Sequence, residues 1–149
     1  MENKKNDCII VNADGAVLGR LGTTVAKMLL NGEKVAVINS EKAVITGNSK
    51  NIVERYKVRR NLQEKENPEH SPKWPRRPDF LVKRIVRGML PYRKPSGKEA
   101  YKRLTVFIGV PEEFKDSKTI DIKIKGTKDL YSKYATVKSV SEMLGYRTR

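Results

Sequence analysis

The stretch 8–38, "CIIVNADGAVLGRLGTTVAKMLLNGEKVAVI", decides the fold. Its two ends, "CIIV" (8–11) and "VAVI" (35–38), are short, β-branched and apolar without alternation, the pattern of strands covered on both faces inside a parallel sheet. Between them Leu18, Leu21, Val25, Met28 and Leu29 recur at helical spacing, and Gly32 stands where a helix ends. A strand, a helix and a strand in so short a span make a βαβ unit.

Working outward, "LTVFI" (104–108) repeats the buried-strand pattern and "AVIT" (43–46) is a fourth short strand candidate. Gly47 and Asn48 turn the chain into a second helix over roughly 50–63. In "ENPEHSPKWPRRP" (66–78) the prolines at 68, 72, 75 and 78 exclude regular structure and predict an extended loop. Pro78 in a first-turn position and Asp79 behind it open a third helix, with Val82, Ile85, Val86 and Met89 on one side and Lys83, Arg84 and Arg87 on the other. Gly88 and Pro91 end that helix as a structural turn: Gly88 is expected at positive φ, with Met89 and Leu90 pinning the corner. Ser96 and Glu99 read as a capping box opening a short helix before the strand at 104. Beyond Pro111, "TIDIKI" is a weaker strand and "TVKSVSEML" a helix candidate.

A chain of 149 residues holds one core. The expected organisation is a polar tail (1–7), a single α/β RNA-binding domain (8–110) with a basic segment (55–103), and a C-terminal extension (111–149). One cysteine forms no internal disulfide; Cys8, inside "CIIV", reads as a core thiol, and the compartment as reducing. No apolar run approaches a membrane span and the first seven residues lack a signal-peptide core, so a soluble cytoplasmic protein with no membrane partner is expected.

The formal charge is +15, and residues 55–103, with 16 Lys+Arg against 5 Asp+Glu, carry +11 of it. So concentrated a charge calls for a polyanion. The candidate RNA-binding residues are Arg20 in the first helix; Arg55, Lys57, Arg59 and Arg60 in the second; Lys73, Trp74, Arg76 and Arg77 in the proline loop; Lys83, Arg84 and Arg87 in the third helix; and Arg93, Lys94, Lys98 and Lys102 beyond it. Tyr56, Trp74, Tyr92 and Tyr101 are interleaved with them, and arginines with aromatics suit phosphates and unstacked bases of irregular RNA.

Catalytic machinery is not visible. Gly15 and Gly19 are separated by three residues and followed by Arg and Leu, which fits neither a Walker loop nor a dinucleotide fingerprint. Gly15 reads instead as a turn glycine, and Gly19 or Gly22 as allowing close helix–sheet packing. His70, the only histidine, has no companion to share a metal, Asp14 reads as a turn or capping residue, and no nucleophile elbow occurs. No cofactor, metal or small-molecule substrate is expected.

"LGRLGTTVAKMLLNGEKVAVINSEKAVITGN" (18–48) and "RRPDFLVKRIVRGMLP" (76–91), continued by Gly97, Leu104, Val106 and Gly109, resemble two blocks of the universal large-subunit ribosomal protein thirteen family in its archaeal form. The resemblance spans roughly 8–111, with Gly22 where the family commonly has alanine. It implies a three-layer α/β/α domain around a four-stranded, mostly parallel sheet. It also implies a structural and assembly role on large-subunit ribosomal RNA beside neighbouring ribosomal proteins, without a reaction. The competing readings are a free-standing RNA-binding regulator and a nucleotide-dependent RNA-acting enzyme.

Overall fold

A computed structural model describes residues 8–114, 119–120, 127 and 130–147. Strand β1 (Cys8–Asn12) leads through helix α1 (Leu18–Leu30) to β2 (Lys34–Ile38), which pairs parallel to β1 from Cys8↔Lys34 to Asn12↔Ile38. This is the βαβ unit read from the sequence. Ile10, Val11, Val35, Ala36, Val37 and Ile38 are all buried. Because successive side chains point to opposite faces, both faces of these strands are covered.

Helix α1 has no side-chain N-cap and no acid in its first turn. Its stability therefore comes from the buried stripe Leu18, Leu21, Val25, Ala26 and Leu29, each large side chain contributing about 1.5–3 kcal/mol of burial. Gly32, at φ +97°, follows its C-cap as expected.

After β2, Asn39 adopts a left-handed conformation and residues Ser40–Lys42 form a 3₁₀ turn. These swing the chain out of the sheet, so β3 (Val44–Thr46), although a strand, is not the fourth strand of the parallel sheet. It pairs antiparallel with β6 (Tyr134–Thr136). The parallel sheet runs β4 (Leu104–Val106), β2, β1, β5 (Thr119–Ile120), so its fourth strand starts the "TIDIKI" segment; 121–124 lie outside the described residues.

Helix α2 (Ser49–Asn61) is capped by the Asn48 side chain, which accepts the Lys50 N–H, and buries Ile52, Val53 and Tyr56. Helix α3 (Pro78–Gly88) buries Leu81, Val82 and Val86. Helix α4 (Pro95–Lys102) starts with Pro95 at its first position and no side-chain cap. The expected Ser96–Glu99 capping box does not form, because proline's fixed φ starts the helix two residues earlier, with Lys94 at the N-cap, and leaves Ser96 inside the first turn.

The segment assigned to a C-terminal extension supplies β6 and α5 (Val137–Met143) to the main core. Val137 and Val140 are fully buried, the Val137 N–H donates to the Ala43 carbonyl at 2.8 Å, and the Thr136 side chain caps α5 by accepting the Ser139 N–H. Gly22 serves helix–helix rather than helix–sheet packing: the place its Cβ would take lies 2.9 Å from Met89 Sδ, at the end of α3.

Candidate nucleic-acid interface

Helix α2, the proline loop, α3 and α4 carry the concentrated charge, and aromatic rings tie them together. Trp74 is half-buried against the core, edge-on to Tyr56 at 5.7 Å, with the Arg59 guanidinium 5.0 Å and the Arg84 guanidinium 5.2 Å from its ring centroid. Arg59 also lies 5.6 Å from the Tyr56 ring. Thus Trp74 fastens the proline loop to α2 and α3 at once. The loop is extended, apart from a 3₁₀ turn at Pro68–His70, and is anchored by its one large apolar side chain.

A second cluster gathers Lys83 and Arg87 of α3 with two tyrosines beyond it. Tyr92 and Tyr101 meet edge to face at 5.3 Å, Arg87 lies 4.8 Å over Tyr92, and Lys83 lies 5.2 Å over Tyr101. Burial pushes the Tyr101 hydroxyl above its usual value, opposed by the Arg87 charge. Arg87, Leu90, Pro91, Tyr92, Arg93 and Lys94 line an open cleft beside it.

Some cations are already engaged. Arg60 Nη1 donates to the Leu144 carbonyl at 3.2 Å, past the last turn of α5, and Arg76 lies against Gly145 at the same helix end. Burial, then the Arg76 charge, pull the Arg60 guanidinium below its ordinary value. Arg77 is paired side-on with Asp79 and lies 4.9 Å over the exposed ring of Phe80. Arg55, Lys57, Lys73, Arg93, Lys94, Lys98 and Lys102 are exposed, and Lys98 and Lys102, four apart on α4, share a face. Arg20 is exposed on α1, and no described contact joins it to either aromatic cluster.

The turn "RGMLP" differs from expectation. Gly88 is the last residue of α3 with ordinary helical φ, and open space surrounds the place its Cβ would take. The corner closes instead by the Met89 N–H to Val86 and Leu90 N–H to Arg87 carbonyl bonds, at 2.9 and 3.2 Å, with Leu90 buried and Met89 laid over Gly22. Pro91 keeps its structural role: its carbonyl accepts the Lys94 N–H at 2.9 Å. The glycine this corner requires is Gly97, buried in α4 with no room for a Cβ beside the Pro91 backbone.

Sequence reasoning missed Asp79 as Arg77's partner, Phe80 as an exposed stacking surface, and Arg103, whose Nη2 donates to the Leu29 carbonyl at 2.9 Å and so serves the end of α1. An acid two residues after an arginine at a helix start was the available signal for Asp79. The other two depend on tertiary approach.

The first strand-to-helix turn is occupied by the protein's own groups. Gly15, at φ +63°, donates its N–H to the Lys42 carbonyl, Ala16 to Ala13, and the Asp14 N–H goes to Asn12 Oδ1. Those amides are not aimed at a phosphate. Asp14 is a turn residue, paired with Lys42 at 3.6 Å, while Val17 holds the N-cap position. Cys8 is half-buried rather than in the core, and burial pushes its thiol up, away from the reactive thiolate. No described helix is long and apolar enough to cross a membrane.

The model of the family described as Ribosomal protein L13 matches residues 6–113. The chain is 46% identical over 138 residues to large ribosomal subunit protein uL13 of Methanococcus maripaludis, covering 92% of this chain and 97% of the relative. It is 43% identical over 144 residues to the uL13 of Archaeoglobus fulgidus (95% and 90%) and 44% identical over 138 residues to that of Sulfurisphaera tokodaii (92% and 94%). An α/β domain with a parallel sheet, a face of ring-anchored cations and matches over nearly the whole chain lead to one assignment: the chain belongs to the ribosomal protein L13 family, whose members are structural proteins of the ribosome and not enzymes.

Proposed function

We propose that this protein is a constituent of the large ribosomal subunit that binds large-subunit ribosomal RNA through α2, the proline loop, α3 and α4, stabilising the RNA during assembly and translation. The observation that carries the reading is the pair of aromatic clusters that fix arginines from different elements on one continuous basic segment. Guanidiniums held over rings lose little further freedom on meeting a phosphate, and the exposed lysines add charge without geometric demand. Arg55, Lys57, Lys73, Arg93, Lys94, Lys98 and Lys102 take phosphates in this reading, and Arg59, Arg84 and Arg87 phosphates or splayed bases. Arg60 and Arg76 contact RNA only on the sides that α5 leaves open. The partners are ribosomal RNA and neighbouring ribosomal proteins, in the cytoplasm, without a cofactor.

Sedimentation of a cell lysate tests this. The protein travels with large subunits at low salt and is released at high salt; accumulation at the top of the gradient at low salt would favour the free-standing regulator.

A further inference from the structure

We propose that Asp79, an acid within the basic face, strengthens RNA binding by holding Arg77 as a preorganised phosphate fork; this rests on the RNA-binding reading above. Arg77 Nε donates to Asp79 Oδ1 at 3.2 Å and Nη2 to Oδ2 at 2.8 Å. A side-on pair of this kind uses one N–H from each of those nitrogens. Of the three remaining N–H groups, one on Nη1 and the one on the far side of Nη2 form a second edge directed away from the carboxylate, and the third points back along the side chain's stem. That edge has the spacing to take two oxygens of a phosphate.

Three features keep the fork in place. The Phe80 ring, 4.9 Å from the guanidinium carbon, sets its plane. Pro78 occupies the first position of α3 and Arg77 its N-cap, so the backbone beneath the fork is restrained. Asp79 stands in the first turn, where the helix N-terminus favours a negative charge. The Asp79 side chain is 11% exposed and that of Arg77 53%, so an approaching phosphate meets the cation with the acid behind it. A free arginine must give up the freedom of its long side chain on binding, whereas this one has already done so.

The consequence opposes simple charge counting. Removing an acid from a basic face ordinarily tightens RNA binding, because repulsion of phosphate is relieved. Removing Asp79 releases Arg77 and weakens it. The test is filter binding of the full-length protein to transcribed large-subunit ribosomal RNA at fixed salt. Asp79→Asn binds about 3–10-fold more weakly, and Arg77→Lys, which keeps the charge and loses the fork, weakens to a similar extent. The double variant is no weaker than Arg77→Lys alone, and Glu69→Gln, an exposed acid in the same loop, binds as the parent does or more tightly. Unchanged or tighter binding by Asp79→Asn, or fully additive losses, would overturn the fork while leaving the RNA-binding face standing. Absence of binding by the parent would overturn both. If Asp79→Asn melts at a lower temperature, Arg77→Lys decides: parental affinity in that variant rejects the fork.

Discussion

A Cβ on Gly97 would collide with the backbone carbonyl of Pro91, so the first turn of α4 is pressed against the corner that ends α3. Only glycine lets the two segments approach so closely, and the approach fixes Tyr92 and Arg93, which lie between them.

Gly97→Ala is therefore expected to destabilise the protein by about 1–3 kcal/mol, since main chain yields less readily than a side chain. Gly88→Ala, on an open helix end without positive φ, is neutral or stabilising by up to about 1 kcal/mol. Thermal melts of the two variants check this; equal melting temperatures would contradict the close-approach account.

RNA affinity should fall steeply with salt. With about six phosphate contacts from the exposed lysines and ring-held arginines, log K against log[salt] has a slope of about −4 to −5. A slope near zero would remove the electrostatic basis of the interface.

Trp74, the only tryptophan, reports the proline loop. Packed on Tyr56 between Arg59 and Arg84, it should emit at shortened wavelength and resist acrylamide quenching before any RNA is added. Emission typical of water, shifting only with RNA, would show a loop that orders on binding.

Burial raises the Tyr56 hydroxyl above its ordinary 10.0, against the lowering influence of Arg59 and then Arg55. A group raised on folding contributes its full stability below its unfolded value and loses it as pH climbs through the folded one. The melting temperature should decline above about pH 10, and Tyr56→Phe should make that decline shallower. An identical alkaline limb in the variant would exclude Tyr56 as a cause.

Arg60→Ala should cost about 1–2 kcal/mol of stability, because its guanidinium satisfies the Leu144 carbonyl. Arg93→Ala, exposed, should leave the melt unchanged and weaken RNA binding alone. Equal melts for the pair would show that the Arg60 contact carries no stability.

The βαβ start was legible because burial on both faces leaves an uninterrupted apolar run, and because α1 writes its buried stripe at regular spacing. The basic face was legible as composition, since charge needs no geometry to be counted. What the sequence concealed depends on approach between distant segments. Nothing local marks Gly97 as the crowded glycine and Gly88 as the open one, and "AVIT" looks like any buried strand until Asn39 turns it away from the sheet. Nothing in the proline loop's own residues shows that α2 and α3 bracket Trp74.

The seating of α5 in the core sets an order of events during synthesis. Ala43 receives its hydrogen bond from Val137, and Arg60 on α2 finds its acceptor at Leu144. Strands β1 and β2 can pair as soon as they emerge, but α2 gains its final support only after residues 62–144 have been made. Such distant closure is slow compared with local helix formation. The cationic helices of the nascent protein thus emerge before their scaffold is finished, and that scaffold stays open until residues 137–144 have been made.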